Sequence, residues 1–125
     1  MENLKVKKKL TIAFDLDGTL AQYDGYKGPF VFGPPVTGMK ELFMKLQEEG
    51  HNVGVYSCRN DDEVLWWCNE YGLQPSWINK NMFLDIDCPN KPYADIYIDD
   101  KCIKFDGNAK DLEWRIDNFK EWWKE

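Results

Sequence analysis

Residues Leu10 to Leu20 read LTIAFDLDGTL, and the fold follows from that run. Leu10, Ile12, Ala13 and Phe14 make a short apolar stretch that stops at two carboxylates one residue apart, Asp15 and Asp17. Gly18 and Thr19 come next. Alternate residues of a strand share a face, so both carboxylates project into the space beyond the strand's carboxyl end. Two ionised carboxylates that close repel each other, and holding both is costly without a cation between them or a shared proton. Gly18 lets the backbone turn tightly there. Asp and Gly after a strand are also ordinary turn residues, so the rest of the chain decides between a turn and a site.

Outward from that strand, the chain alternates. The basic MENLKVKKK start is a solvated lead-in. Residues 21–36, AQYDGYKGPFVFGPPV, form a Gly- and Pro-rich flap or hairpin. Its aromatics Tyr23, Tyr26, Phe30 and Phe32 either meet a base or sugar or pack on one another. The spacing of Met39, Leu42, Phe43 and Leu46 predicts a helix over 37–49 with one buried stripe, ended by Gly50. A second apolar strand spans 52–56 and closes in Ser57-Cys58-Arg59. Asn60, three residues before Glu63, caps a helix that runs to Tyr71 and stops at Gly72. A short strand lies near Trp77 and Ile78, and a later one at 95–98 closes in Asp99-Asp100. Leu112, Ile116, Phe119 and Trp123 mark a final amphipathic packing helix over 109–123. Strands alternating with helices predict an α/β layered fold with a mainly parallel sheet.

Composition bounds the function. The 125 residues fit one domain, 1–125, with 43% hydrophobic and 15% aromatic residues arguing against disorder. A net charge of −6 disfavours a general nucleic-acid binder. Four cysteines without CxxC spacing and the single histidine, His51, make a zinc site a poor reading. His51 falls in the turn before a strand and is assigned no catalytic role. With no signal peptide and no apolar run of membrane-spanning length, the expectation is a soluble cytoplasmic protein with reduced thiols and no membrane partner.

In parallel α/β sheets the ligand site lies outside the carboxyl ends of the strands. Asp15 with Asp17, Ser57 with Arg59, and Asp99 with Asp100 all fall at such ends. Several carboxylates without histidine or thiolate company make a hard oxygen environment suited to magnesium and a phosphate. Ser57 would then offer a hydroxyl, Lys91 a cation, and the Gly18-Thr19 turn backbone N–H groups for phosphate oxygens. Arg59 either joins that loop in contacting substrate or pairs with Asp61 or Asp62. Cys58 is counted with Gly18, Thr19, Ser57 and Arg59 in the phosphate-binding loop, although by residue type it reads as a small buried filler. Carboxylates also act as nucleophiles toward phosphorus.

These residues resemble the motifs of the haloacid-dehalogenase (HAD-like) superfamily. DLDGTL at 15–20 resembles its first motif, DxDGT; VYSCR with Ser57 resembles the second; Lys91 the lysine of the third; and YIDD at 97–100 the acidic fourth. The resemblance implies a three-layer Rossmann-like fold and magnesium-dependent phosphatase chemistry on a phosphate monoester. Asp15 would be the nucleophile that forms an aspartyl-phosphate, and Asp17 the general acid/base. Asp15, the Asp17 main-chain carbonyl and the fourth-motif acids would bind the metal, with Asp100 favoured over Asp99. Ser57 and Lys91 would hold the phosphate. Lys91 stands only eight residues before Asp99, so Lys80 is its alternative. Residues 21–36 are too few for the cap domain many members carry, which implies a capless enzyme. Its phosphorylated substrate would be a small metabolite, a nucleotide or a larger partner, with a homo-oligomer as one way to close the site. A phosphoacceptor receiver domain would place its acidic clusters in a different order. The alternative kept is a non-catalytic phosphoryl- or metal-binding module on the same fold.

Overall fold

A computed structural model describes residues 8–80 and 92–125. The run that opens the sequence argument becomes the central strand, β1 (Thr11–Asp15). It pairs in parallel with β2 (Asn52–Tyr56) on one side and β3 (Ile96–Ile98) on the other, giving the order β2-β1-β3. Thr11 lies opposite Asn52 and Asp15 opposite Tyr56, so β1 and β2 end level. Phe14 lies opposite Ile98. Carried one residue further, that register sets Asp99 beside Asp15. The layout is a small Rossmann-like α/β arrangement.

The strands run apolar because both faces of the central strand are covered. Toward one face point Ile12, Phe14, Val53 and Val55, packed on Phe43 of α1 (Met39–Glu48) and on Val64, Trp67 and Cys68 of α2 (Asp61–Glu70). The Phe14 and Phe43 rings meet at 5.3 Å between centroids. Toward the other face Ala13 meets Trp77 and Ala94, with Tyr56 and Tyr97 at the margin. Gly54 has no side chain because the Trp77 indole lies flat on β2 there; a Cβ would fall inside the ring system.

Local signals hold for the middle of the chain. The Asn60 side chain accepts from the Glu63 N–H at 3.0 Å and starts α2. Gly72, at φ +72°, ends it, with Gly72 N–H bonded to Asn69 and Leu73 N–H to Cys68, the paired bonds of a Schellman stop. In α1 Phe43 is buried and Met39 and Leu46 pack on the core, but Leu42 is exposed, so the stripe is narrower than its spacing predicts. The strand expected at 77–78 is a single parallel bridge from Ile78 to Val55. His51 takes a structural part: its Nδ1 accepts the Leu10 N–H at 3.0 Å.

The end of the chain departs from its periodicity. α3 spans Ala109–Asp117, not 109–123, and buries none of its residues. Trp114 is 64% exposed and Ile116 58%. The helix stops at Asn118, whose side chain bonds back to the Trp114 carbonyl at 2.8 Å. Beyond it the indole N–H groups of Trp122 and Trp123 reach the DLDGT turn and Asp100 instead of continuing a packing face, with Trp122 itself left exposed. Among the described residues α1 and α2 pack on one face of the sheet, and α3 buries none of its own residues. Among them, too, no helix is long and apolar enough to cross a membrane.

Candidate functional site

The carboxyl ends of the three strands open into one cavity of about 810 Å³, lined by Asp15, Asp17, Tyr56, Ser57, Arg59, Asp99, Asp100 and Lys101 among others. The parallel register brings three acids to a point. A carboxylate oxygen from each of Asp15, Asp99 and Asp100 lies within 4.8 Å of the others, and all three residues are half-buried. The Asp15 carboxyl is pushed up to about 8 by burial, then by the neighbouring Asp100 carboxyl and by the Asp99 and Asp100 charges; the Leu16 N–H offsets this only in part. Crowded carboxylates of this kind favour a bound cation or a retained proton.

Asp99 and Asp100 differ in their remaining company. Asp99 accepts at both oxygens, from the Tyr56 hydroxyl at 2.6 Å and from the Lys101 N–H at 2.9 Å. Burial and then this bond to Asp99 push the Tyr56 phenol well above its ordinary range. Asp100 accepts from the Trp123 indole N–H through Oδ2 at 2.6 Å, while its Oδ1 is buried and accepts nothing. An all-oxygen set with one buried, unpartnered carboxylate oxygen fits a hard divalent cation such as magnesium. Asp15, Asp99 and Asp100 would hold it.

Asp17 lines the same cavity but is taken up by a fork from Arg59. Arg59 Nε donates to Asp17 Oδ2 at 2.7 Å and Nη2 to Oδ1 at 3.4 Å. Nη1 donates to Glu63 Oε2 at 3.1 Å and to the Gly28 carbonyl, and Nη2 also to the Val31 carbonyl at 2.8 Å. Arginine has five N–H donors, and all are used. The guanidinium lies 3.9 Å over the Phe32 ring and is buried, at 8% exposure. Burial works against its charge, but Asp17 and then Glu63 outweigh that and raise its pKa above the ordinary value. Glu63 is held below its ordinary range by the Phe30 N–H first and, against burial, by Arg59.

Three expectations for a phosphate cradle are corrected by these contacts. Arg59 neither reaches for substrate nor pairs with Asp61 or Asp62; it binds the flap to Asp17 and α2. The Gly18 N–H is donated to the Ala21 carbonyl at 2.9 Å and the Thr19 N–H to the Leu16 carbonyl at 3.2 Å, because the chain doubles back at once into the flap. Neither N–H is presented to a ligand. Thr19 instead turns its hydroxyl toward Asp15 Oδ2 at 3.4 Å. Cys58 is exposed on the cavity wall, not a buried filler. The flap aromatics pack on neighbours, with Phe32 stacked on Trp66 at 6.1 Å and Tyr23 edge-on to Trp123 at 5.0 Å.

Ser57 does sit in the cavity as expected. Its Oγ accepts the Arg59 N–H at 3.0 Å, and among the described residues no acceptor takes its hydroxyl hydrogen. Lys91 lies outside the described residues; Lys80 is exposed. Lys101, directly after the acidic pair, is a cation on the cavity wall. The sequence reading missed Asn79, which holds the Ser57 loop. Its Oδ1 accepts the Ser57 N–H at 2.7 Å, and its Nδ2 donates to the Arg59 carbonyl and to Asp61 Oδ1. A left-handed backbone, φ +60°, aims that side chain, a conformation Asn tolerates better than most residues. Tyr56 and Trp123 were missed as well, both apolar by type and read as packing.

No family model matches this chain, and no curated protein matches it. Among solved structures it is similar to a conserved protein of Bacteroides thetaiotaomicron, 27% identical with a TM-score of 0.65, over 89% of this chain and 92% of that one. The likeness spans nearly all of both chains. It supports the α/β layout and brings no activity with it.

Proposed function

We propose that this protein is a magnesium-dependent phosphatase of the haloacid-dehalogenase type, without a cap domain, acting on a phosphate monoester. The reading is carried by one observation: the half-buried trio of Asp15, Asp99 and Asp100 converges at the end of the DLDGT strand, with one Asp100 oxygen buried and unpartnered. Bound there by Asp15, Asp100 and the Asp17 main-chain carbonyl, magnesium would offset the trio's charge and that of the phosphate.

The steps belong to the chain's own groups. An Asp15 carboxylate oxygen attacks phosphorus and the ester P–O bond breaks, leaving an aspartyl-phosphate. Asp17 protonates the departing oxygen, then takes a proton from water, which attacks phosphorus and frees Asp15. Ser57 gives its hydroxyl hydrogen to a phosphate oxygen; Lys101 supplies positive charge on the described wall, and Lys91 is the further candidate from the motif pattern. Because Arg59 occupies both Asp17 oxygens, the acid/base step requires the flap to release Asp17. The cavity of about 810 Å³ is larger than a phosphate needs, so part of a metabolite or nucleotide is also accommodated. The Arg59 fork equally suits a non-catalytic phosphoryl-binding module in which Asp17 is permanently engaged.

Phosphate release from an aryl phosphate, with and without magnesium, tests the proposal. Magnesium-dependent turnover that disappears in Asp15→Asn is the expected result. A folded protein with no turnover on a broad phosphate-ester panel would overturn the enzyme reading in favour of the module.

A further inference from the structure

We infer that Trp123 is a positioning residue of the metal centre, its indole N–H fixing the Asp100 carboxylate so that one oxygen stays free for a cation. This rests on the metal site proposed above. Two adjacent indoles at the chain's end address two parts of that site. Trp123 Nε1 donates to Asp100 Oδ2 at 2.6 Å, and Trp122 Nε1 donates to the Gly18 carbonyl at 2.7 Å. The Trp123 ring is braced edge-on by Tyr23 of the flap, 5.0 Å between centroids.

The chemistry of the donor matters. An indole N–H donates only and brings no lone pair or charge, so it orients a carboxylate without competing for the ion or neutralising the ligand. A hydrogen bond to an ionised carboxylate is also stronger than a neutral one. With Oδ2 held, the Asp100 side chain is oriented, and Oδ1 is buried and unpartnered in the cluster with Asp15 and Asp99.

Gly18 completes the arrangement. A Cβ there would collide with the Asp100 carboxylate and approach the Trp123 indole nitrogen to 2.7 Å. Bare backbone at residue 18 is thus what lets the acid and its indole donor close over the turn. The sequence period places Trp123 on a packing stripe, but the break in α3 at Asn118 turns it to this use.

The test is Trp123→Phe in the full chain, which keeps a ring against Tyr23 and removes the donor. Calorimetric titration with magnesium, and with manganese as a tighter probe, reads the effect. Loss of a partner that orients a metal ligand typically costs about 10–100-fold in affinity, and that loss is expected while the variant stays folded. Affinity within twofold of wild type overturns the role of Trp123 while leaving the metal site intact. A wild-type chain that binds neither cation overturns the site itself, and this inference with it. Should Trp123→Phe fail to fold, the indole N–H resonances of the six tryptophans in 15N-labelled wild type decide. One strongly downfield indole signal that moves on magnesium addition supports the inference; six unmoved signals overturn it.

Discussion

Arg59 and Asp17 meet as a fork, Nε 2.7 Å from Oδ2 and Nη2 3.4 Å from Oδ1, and that fork ties the flap to the strand end that carries Asp15. The same guanidinium takes carbonyls at Gly28 and Val31 and a carboxylate at Glu63, so residues from the flap, the DLDGT turn and α2 share one side chain. A buried, fully used guanidinium makes Arg59 a structural centre first. Its reach decides when Asp17 is available.

Arg59→Ala should therefore destabilise the protein. It leaves carboxylates unpaired in a largely enclosed place, and breaking such a pair costs about 3–5 kcal/mol. With Asp17 keeping 18% of its side chain exposed, a value at the low end, roughly 3 kcal/mol, is expected. Arg59→Lys should recover little, since an ammonium cannot make the fork. Urea denaturation measures both; a loss below about 1 kcal/mol for either variant would place the pair among ordinary surface bridges.

Metal-free stability should fall as pH rises. Asp15 has its pKa raised from 3.8 to about 8 in the folded chain, so the folded state binds its proton more tightly than the unfolded state does. The stability this contributes is complete below about pH 4 and is lost on the way to pH 8. Melting temperature in chelator should decline between pH 5 and 8.5, and Asp15→Asn should flatten that decline and melt higher at pH 8. Parallel profiles for the two proteins would remove the basis for the trio's shared charge.

Asn79 separates backbone strain from side-chain bonding. Asn79→Ala loses the bonds to the Ser57 N–H, Arg59 carbonyl and Asp61 and also meets the left-handed backbone at φ +60°. Asn79→Gly loses the bonds alone. The alanine variant should be the less stable by about 1 kcal/mol. Both should slow phosphate release by up to ~100-fold if the loop that aims Ser57 shifts by an ångström. Steady-state kinetics beside thermal melts would show whether the loop or the whole fold is affected.

The cysteines report on the cavity. Cys58 is exposed on its wall, whereas Cys68 is buried in the core with its thiol pushed up to about 12 by desolvation. Thiolate is the reactive form, so iodoacetamide at pH 8 should label Cys58 rapidly and Cys68 only on unfolding. Phosphate with magnesium should slow labelling of Cys58. Mass spectrometry of the labelled peptides reads the effect, and unchanged labelling of Cys58 would place the ligand elsewhere.

Much of the fold is written locally. The strand at 52–56, the Asn60 cap, the Gly72 stop and the strand before Asp99 depend on residues within a turn of one another, where hydrophobic period and capping chemistry dominate. The placement of the acids follows too, because parallel strands that end level bring their following residues together. The last helix shows where local reading stops. Leu112, Ile116, Phe119 and Trp123 keep a helical period, yet the chain breaks at Asn118, since two indole donors find acceptors in the site that the helix could not offer.

By itself, then, the sequence determined the parallel α/β layout and the acidic edge that Asp15, Asp99 and Asp100 form. Tertiary structure alone decided the partners of the polar groups. Arg59 finds Asp17 across 42 residues, Trp123 finds Asp100 across 23, and Asn79 holds Ser57 across 22. Such bonds leave no period in the chain. They are set by which buried donors and acceptors remain to be satisfied once the sheet has formed.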